Sequence, residues 1–196
     1  MARLPFILAR QSECAAIDRA IKDPGKRQAL YDIIDAVLRV NQTQKITPLE
    51  LAPIIAAFHF TAEPVWSRAA SWLAKLHAYD PTTVTPILDQ LSTDPSITPR
   101  LNLCRSLDRF PTHAALPLLR RYLSDKSARV QDSALGIAMK KRITELLPDL
   151  QARLQIETKP DRAQDFQEAI NWLQGSACTL KGLPVRQLPN GDIESV

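Results

Sequence analysis

The sequence predicts an all-α chain, a solenoid of stacked antiparallel helix pairs with about five helical hairpins. Three observations carry this. Prolines recur 33, 31 and 31 residues apart, at Pro53, Pro86, Pro117 and Pro148, each inside an apolar segment. An arginine follows each of them after 12–15 residues, at Arg68, Arg100, Arg129 and Arg162, and leads a stretch with apolar residues at helical spacing. A fixed period of this length marks a repeat architecture, in which each unit buries its apolar face against the next. Glycine is scarce, at 5 of 196 residues, which argues against nucleotide-binding α/β folds that need glycine at their phosphate-binding turns.

The elements follow in order. Residues 11–22 and 26–41 read as two helices broken at Asp23-Pro24-Gly25, a degenerate capping repeat within an N-terminal region 1–45. The repeats occupy 46–175. Leu51-Ala52-Pro53-Ile54-Ile55, Thr85-Pro86-Ile87-Leu88, Leu116-Pro117-Leu118-Leu119 and Leu147-Pro148-Asp149-Leu150 are each expected to open a short amphipathic helix. Proline is tolerated there because first-turn N–H groups have no helical partner. The second helices carry apolar stripes: Ala69, Ala70, Leu73 and Leu76; Leu101, Cys104 and Leu107; Val130, Ala134, Ile137 and Ala138; Ala163, Phe166, Ala169, Ile170 and Leu173. Thr93-Asp94-Pro95 and Ser124-Asp125-Lys126-Ser127 read as turns within repeats, Asp80-Pro81 and Phe110-Pro111-Thr112 as turns between them, with Thr112 expected as an N-cap. From Gly175 on, Gly182, Pro184 and Pro189-Asn190-Gly191 predict an extended or partly disordered tail over 176–196, with a short hairpin at Asn190-Gly191.

The third repeat resembles a HEAT repeat. Leu116-Pro117-Leu118-Leu119, Asp125, Arg129-Val130 and Ala134-Leu135-Gly136-Ile137-Ala138 follow that family's order: proline in the first helix, aspartate in the inner turn, then valine and arginine before an Ala-Leu-Gly segment. The resemblance is to the short bacterial type, covers roughly 46–175, and is looser outside 113–142. Ankyrin and tetratricopeptide repeats have similar lengths, but their signature residues are absent. The resemblance implies a right-handed α-solenoid, not an activity.

In such a stack the second helices line the concave face, so their non-core residues are the candidate partner-binding surface. They are Arg68, Ser71, Trp72 and Lys75; Arg100 and Arg105; Arg129, Asp132 and Lys140, with Ser133 and Gly136; and Arg162, Asp165 and Asn171. The arginines are also expected to hydrogen-bond within and between repeats, for example with Asp94 and Asp125. Trp66 shares the core stripe, whereas Trp72 and Trp172 are candidate exposed anchors.

Composition bounds the function. A net charge of +4 permits either nucleic acid or an acidic protein as partner. Between 113 and 143, Arg120, Arg121, Lys126, Arg129, Lys140, Lys141 and Arg142 face Asp125 and Asp132, a net of +5. Between 144 and 175, Arg153, Lys159 and Arg162 face Glu145, Asp149, Glu157, Asp161, Asp165 and Glu168, a net of −3. Adjacent patches of opposite sign suit a protein partner better than a polyanion. Cys14, Cys104 and Cys178 are dispersed, and His59, His77 and His113 stand alone, so no zinc site, disulfide framework or catalytic triad is expected. No cofactor is expected.

The segment Met1-Ala2-Arg3-Leu4-Pro5-Phe6-Ile7-Leu8-Ala9-Arg10 is too short in its apolar run for a signal peptide, and no stretch is long enough to span a membrane. The sequence reading is therefore a non-catalytic cytoplasmic bacterial-type protein that binds another protein. It would act as an adaptor, an assembly factor or an inhibitor such as an immunity protein. The alternative is a nucleic-acid-binding protein, in its enzymatic form an alkyl-base DNA glycosylase using Trp66, Trp72, Arg129 and Asp132.

Overall fold

The computed structural model describes residues 10–175 and, beyond them, the backbone of three strands at 178–180, 183–187 and 193–195. Among the described residues ten α-helices form five hairpins: α1 (Arg10–Ala20) with α2 (Pro24–Thr43), α3 (Pro48–Ala57) with α4 (Glu63–Tyr79), α5 (Pro81–Ser92) with α6 (Ile97–Ser106), α7 (Thr112–Leu123) with α8 (Ala128–Lys141), and α9 (Leu147–Ile156) with α10 (Pro160–Leu173). The chain divides into two compact units, 1–109 and 110–196. In the first, the second helices α2, α4 and α6 pack successively side by side; in the second, α8 packs on α10 and α7 on α9. Helix pairs stacked in this way are the architecture of an α-solenoid.

The periodic prolines do not open their helices, with one exception. Pro148 lies in the first turn of α9. Pro53, Pro86 and Pro117 are each the sixth residue of their helix, inside α3, α5 and α7. Each of these helices starts a turn earlier than the sequence reading placed it, and two of them start on a further proline, Pro48 and Pro81. An interior proline forfeits one bond to the carbonyl four residues back. Those carbonyls belong to Leu49, Thr82 and His113, all exposed residues, where water can serve in place of the missing donor.

Side-chain caps close the starts of α2, α5 and α6, the last through Ser96, which accepts from the Thr98 N–H at 3.4 Å. Asp23 accepts from the Lys26 N–H at 2.8 Å with Pro24 as first residue of α2, and Asp80 accepts from the Thr83 N–H at 3.1 Å with Pro81 opening α5. The two Asp-Pro pairs are thus a cap followed by a pre-formed first turn. Thr112 is not a cap: Pro111 holds that position and Thr112 is already helical. The two inner turns read from the sequence repeat one device. Asp94 accepts the Ser96 N–H and Asp125 the Ser127 N–H, both at 2.8 Å.

The predicted apolar stripes form the core. Ala69, Ala70, Leu73, Leu76, Cys104, Leu107, Val130, Ala134, Ala138, Phe166 and Ala169 are wholly buried, and Leu101, Ile170 and Leu173 nearly so. Ile137 and Ala163 sit at the stripe edges, half-buried. After α10, β1 (Cys178–Leu180), β2 (Leu183–Gln187) and β3 (Ile193–Ser195) pair antiparallel in the order β1-β2-β3, with Val185 opposite Ser195. The expected Asn190-Gly191 turn lies outside the described residues, as does the N-terminal segment before Arg10.

Candidate partner-binding surface

The second-helix residues singled out in the sequence have unlike fates. In the first unit most are consumed by the fold. Arg68 is ion-paired with Glu13 of α1. Ser71 donates to the Ser67 carbonyl at 3.0 Å. Arg100 is only 4% exposed, and its Nη1 donates to the carbonyls of Asp94, Pro95 and Ser96 at 2.6, 3.1 and 3.0 Å. It closes the turn that leads into its own helix and is withdrawn from the surface. It meets the Asp94 carbonyl, not the carboxylate.

Trp72 is likewise buried, at 5% exposure, with the Lys75 ammonium 4.2 Å above its ring. The expectation of an exposed anchor is corrected for a simple reason. Trp66 and Trp72 do point to different sides of α4, but α4 has α2, α3, α5 and α6 packed around it, so both sides are interior. Trp172 is buried too, and its indole N–H donates to the Met139 carbonyl at 3.2 Å, fastening α10 to α8. His77 lies in the last turn of α4 and is buried. Arg105 and Arg129 are exposed, and among the described residues neither guanidinium has an ion-pair partner.

In the second unit the same face is open and polar. Arg162 reaches from α10 to α8: Nη1 is ion-paired with Asp132 and lies 3.1 Å from Asp165, while Nη2 donates to Gln131 Oε1 at 2.5 Å. Its guanidinium also lies 5.4 Å from the centre of the Phe166 ring. Gln131 passes the link on to the Asp125 carbonyl at 2.6 Å. Beside this clamp a cleft of about 340 Å3 runs between the helices, lined by Asp132, Leu135, Gly136, Met139, Asp165 and Glu168. Helical spacing builds it: Asp132, Gly136 and Met139 share one face of α8, and Asp165 and Glu168 share one face of α10. Burial pushes the Asp165 carboxyl above its ordinary value; Arg162 opposes this, and Asp132 and Glu168 add to it. Asn171 accepts from Gln167 at 2.9 Å farther along α10, and Lys140 is exposed at the far end of α8.

The charge segregation in the sequence is partly spent on stitching neighbouring repeats together. Arg120 of α7 pairs with Asp149 of α9 at 3.1 Å, as Arg162 pairs with Asp132. One important polar residue escaped the sequence reading. Asn102, 3% exposed on α6, donates through Nδ2 to the Phe58 and Phe60 carbonyls, each at 2.9 Å. Its only signal in the sequence is an amide inside an apolar run, Leu101-Asn102-Leu103-Cys104. Among the described residues no three His, Cys, Asp or Glu side chains converge to hold a metal ion, and no helix is long and apolar enough to cross a membrane.

Stacked helix pairs with polar second-helix faces define a helical-repeat protein. A family profile describing HEAT repeats matches residues 84–171, from α5 to the last turn of α10, and the chain carries HEAT-like repeats over that span. Repeats of this family generally mediate protein–protein interactions. No curated protein and no solved structure matches the chain.

Proposed function

We propose that the protein is a non-catalytic binding module that grips another protein on the second-helix face of its HEAT-like repeats. It would serve as an adaptor, an assembly factor or a stoichiometric inhibitor, of which an immunity protein that occludes a toxin is the most specific form. The observation that carries the reading is the α8/α10 face, where two neighbouring HEAT-like pairs leave a cleft lined by Asp132, Asp165 and Glu168 together with Leu135 and Met139. A surface held by Arg162 and Trp172 is pre-formed, so little ordering cost opposes association.

The glycosylase alternative loses support because Trp66 and Trp72 are core residues and Asp132 is engaged by Arg162. A negatively charged cleft also repels a phosphate backbone. The test is capture with the tagged full-length protein at moderate salt after nuclease treatment. A single stoichiometric protein that resists nuclease supports the reading. Nucleic acid alone, lost as salt rises, overturns it.

A further inference from the structure

We propose that the cleft between α8 and α10 seats an arginine side chain from a basic segment of the partner protein. The inference rests on the protein-binding reading above and adds the chemistry of the contact.

Two independent features of the cleft point to such an occupant. The first is Gly136. It lies in the interior of α8, where glycine weakens a helix relative to alanine. A Cβ at this position would meet nothing within 4 Å, so no neighbour within the described chain requires its absence. What the missing side chain does is keep the floor of the cleft open, so that a group from outside can approach the α8 backbone.

The second is charge. Asp132, Asp165 and Glu168 line the cleft, and Arg162 answers Asp132 and Asp165 with a single positive charge. Glu168 accepts a neutral amide hydrogen from Gln164 at 2.8 Å, which does not neutralise it. The lining residues therefore carry an excess of negative charge on a chain whose net charge is +4. Leu135 and Met139 line the cleft beside the carboxylates, so one long side chain could lay its aliphatic stem on the first and its charged head on the second. A planar guanidinium fits better than an ammonium because it pairs with carboxylates through two parallel bonds and is more weakly hydrated. At about 340 Å3 the space is at the low end of the range that holds small ligands, in keeping with one long side chain and its flanking backbone.

The experiment titrates the full-length protein with a fluorescein-labelled tetra-arginine peptide and with its tetra-citrulline counterpart, which keeps the shape and loses the charge. The arginine peptide is expected to bind, and the citrulline peptide to bind at least about tenfold more weakly. Gly136→Leu fills the cleft, and Asp132→Asn with Asp165→Asn discharges it; each should weaken the arginine peptide by about tenfold or more. Gly136→Leu should melt no lower than the unaltered protein, which separates blocked binding from unfolding. Glu145→Gln, an exposed carboxylate outside the cleft, should leave binding unchanged. Equal affinity of Gly136→Leu and the unaltered protein, equal binding of the two peptides, or equal loss with Glu145→Gln would overturn the proposal. A captured partner retained equally by Gly136→Leu would sink the cleft assignment and leave the protein-binding reading standing. Failure to capture any partner would sink that reading, while the peptide titration still decides the cleft.

Discussion

Replacing Asn102 by alanine tests how the hairpin α3/α4 is joined to α5/α6. Asn102 is 3% exposed, and its amide is the donor to two carbonyls, Phe58 and Phe60, in the turn that follows α3. The last carbonyls of a helix have no partner within it, so a buried helix end needs donors from elsewhere. Alanine removes both bonds at once. A buried acceptor left without a donor costs about 1–3 kcal/mol. The Phe60 carbonyl is partly accessible, so water can recover some of its loss, and the pair together is worth about 2–4 kcal/mol. For a chain of this size that lowers Tm by about 5–15 °C. Asn102→Asp sharpens the argument because the shape is kept. At neutral pH an aspartate has no donor and sets a negative charge against two carbonyl oxygens; protonated, it regains one donor. Its folded pKa must therefore lie above the unfolded value. The variant should be most impaired at neutral pH and recover relative to the unaltered protein as pH falls through the raised folded value, the recovery being complete below the unfolded carboxylate value of about 4. Urea denaturation of both variants across pH measures this. An alanine variant within about 0.5 kcal/mol of the unaltered protein, or an aspartate variant with no relative recovery in acid, would refute the reasoning.

Three further outcomes are expected. Asp80 has its carboxyl held below the ordinary range by the Thr83 hydroxyl first and the Thr83 N–H next, so its contribution is present above the unfolded value of about 4 and is lost as pH falls through the lower folded one. Asp80→Ala should cost about 1 kcal/mol as a lost N-cap at neutral pH, and the gap to the unaltered protein should close in acid; a gap independent of pH would contradict the assignment. Arg162→Met should lower stability by about 1–3 kcal/mol, because it releases Asp132, Asp165 and Gln131 together, and denaturant unfolding that shows no loss would remove Arg162 as the tie between α10 and α8. Gly136→Ala should gain about 0.5–1 kcal/mol in the same measurement, since the new methyl meets open space; a loss would mean that the helix at Gly136 is not as described.

The architecture was legible because it is periodic. Apolar stripes such as Ala69-Ala70-Leu73-Leu76 depend only on a helix burying one face, and they form the core as read. The prolines gave the right period with the wrong phase. Pro53, Pro86 and Pro117 look like helix starts because a first turn is where proline costs least, yet an exposed residue four positions back, whose carbonyl water can serve, makes an interior proline cheaper as well. Solvent exposure of that carbonyl is a tertiary fact that no local rule supplies. Trp72 failed for a similar reason: helical geometry gave its direction correctly, but not that another helix lies there.

The four arginines show why the site was harder to read than the fold. They recur with the repeat, yet Arg68 meets Glu13, Arg100 meets the carbonyls of its own turn, Arg162 meets Asp132, and Arg129 faces solvent. Repetition fixes where a side chain stands in its repeat; its partner comes from neighbouring elements whose sequences differ. A periodic polar residue is therefore weak evidence of function, because the stack itself can absorb it. The departures from economy say more. Gly136 weakens α8 with no steric cause within the described chain, and Asp165 is held beside Asp132 and Glu168 at a cost that one arginine only partly offsets. Both sit in one cleft, and on the proposal above a basic side chain entering from outside would relieve the carboxylates while occupying the space that Gly136 leaves.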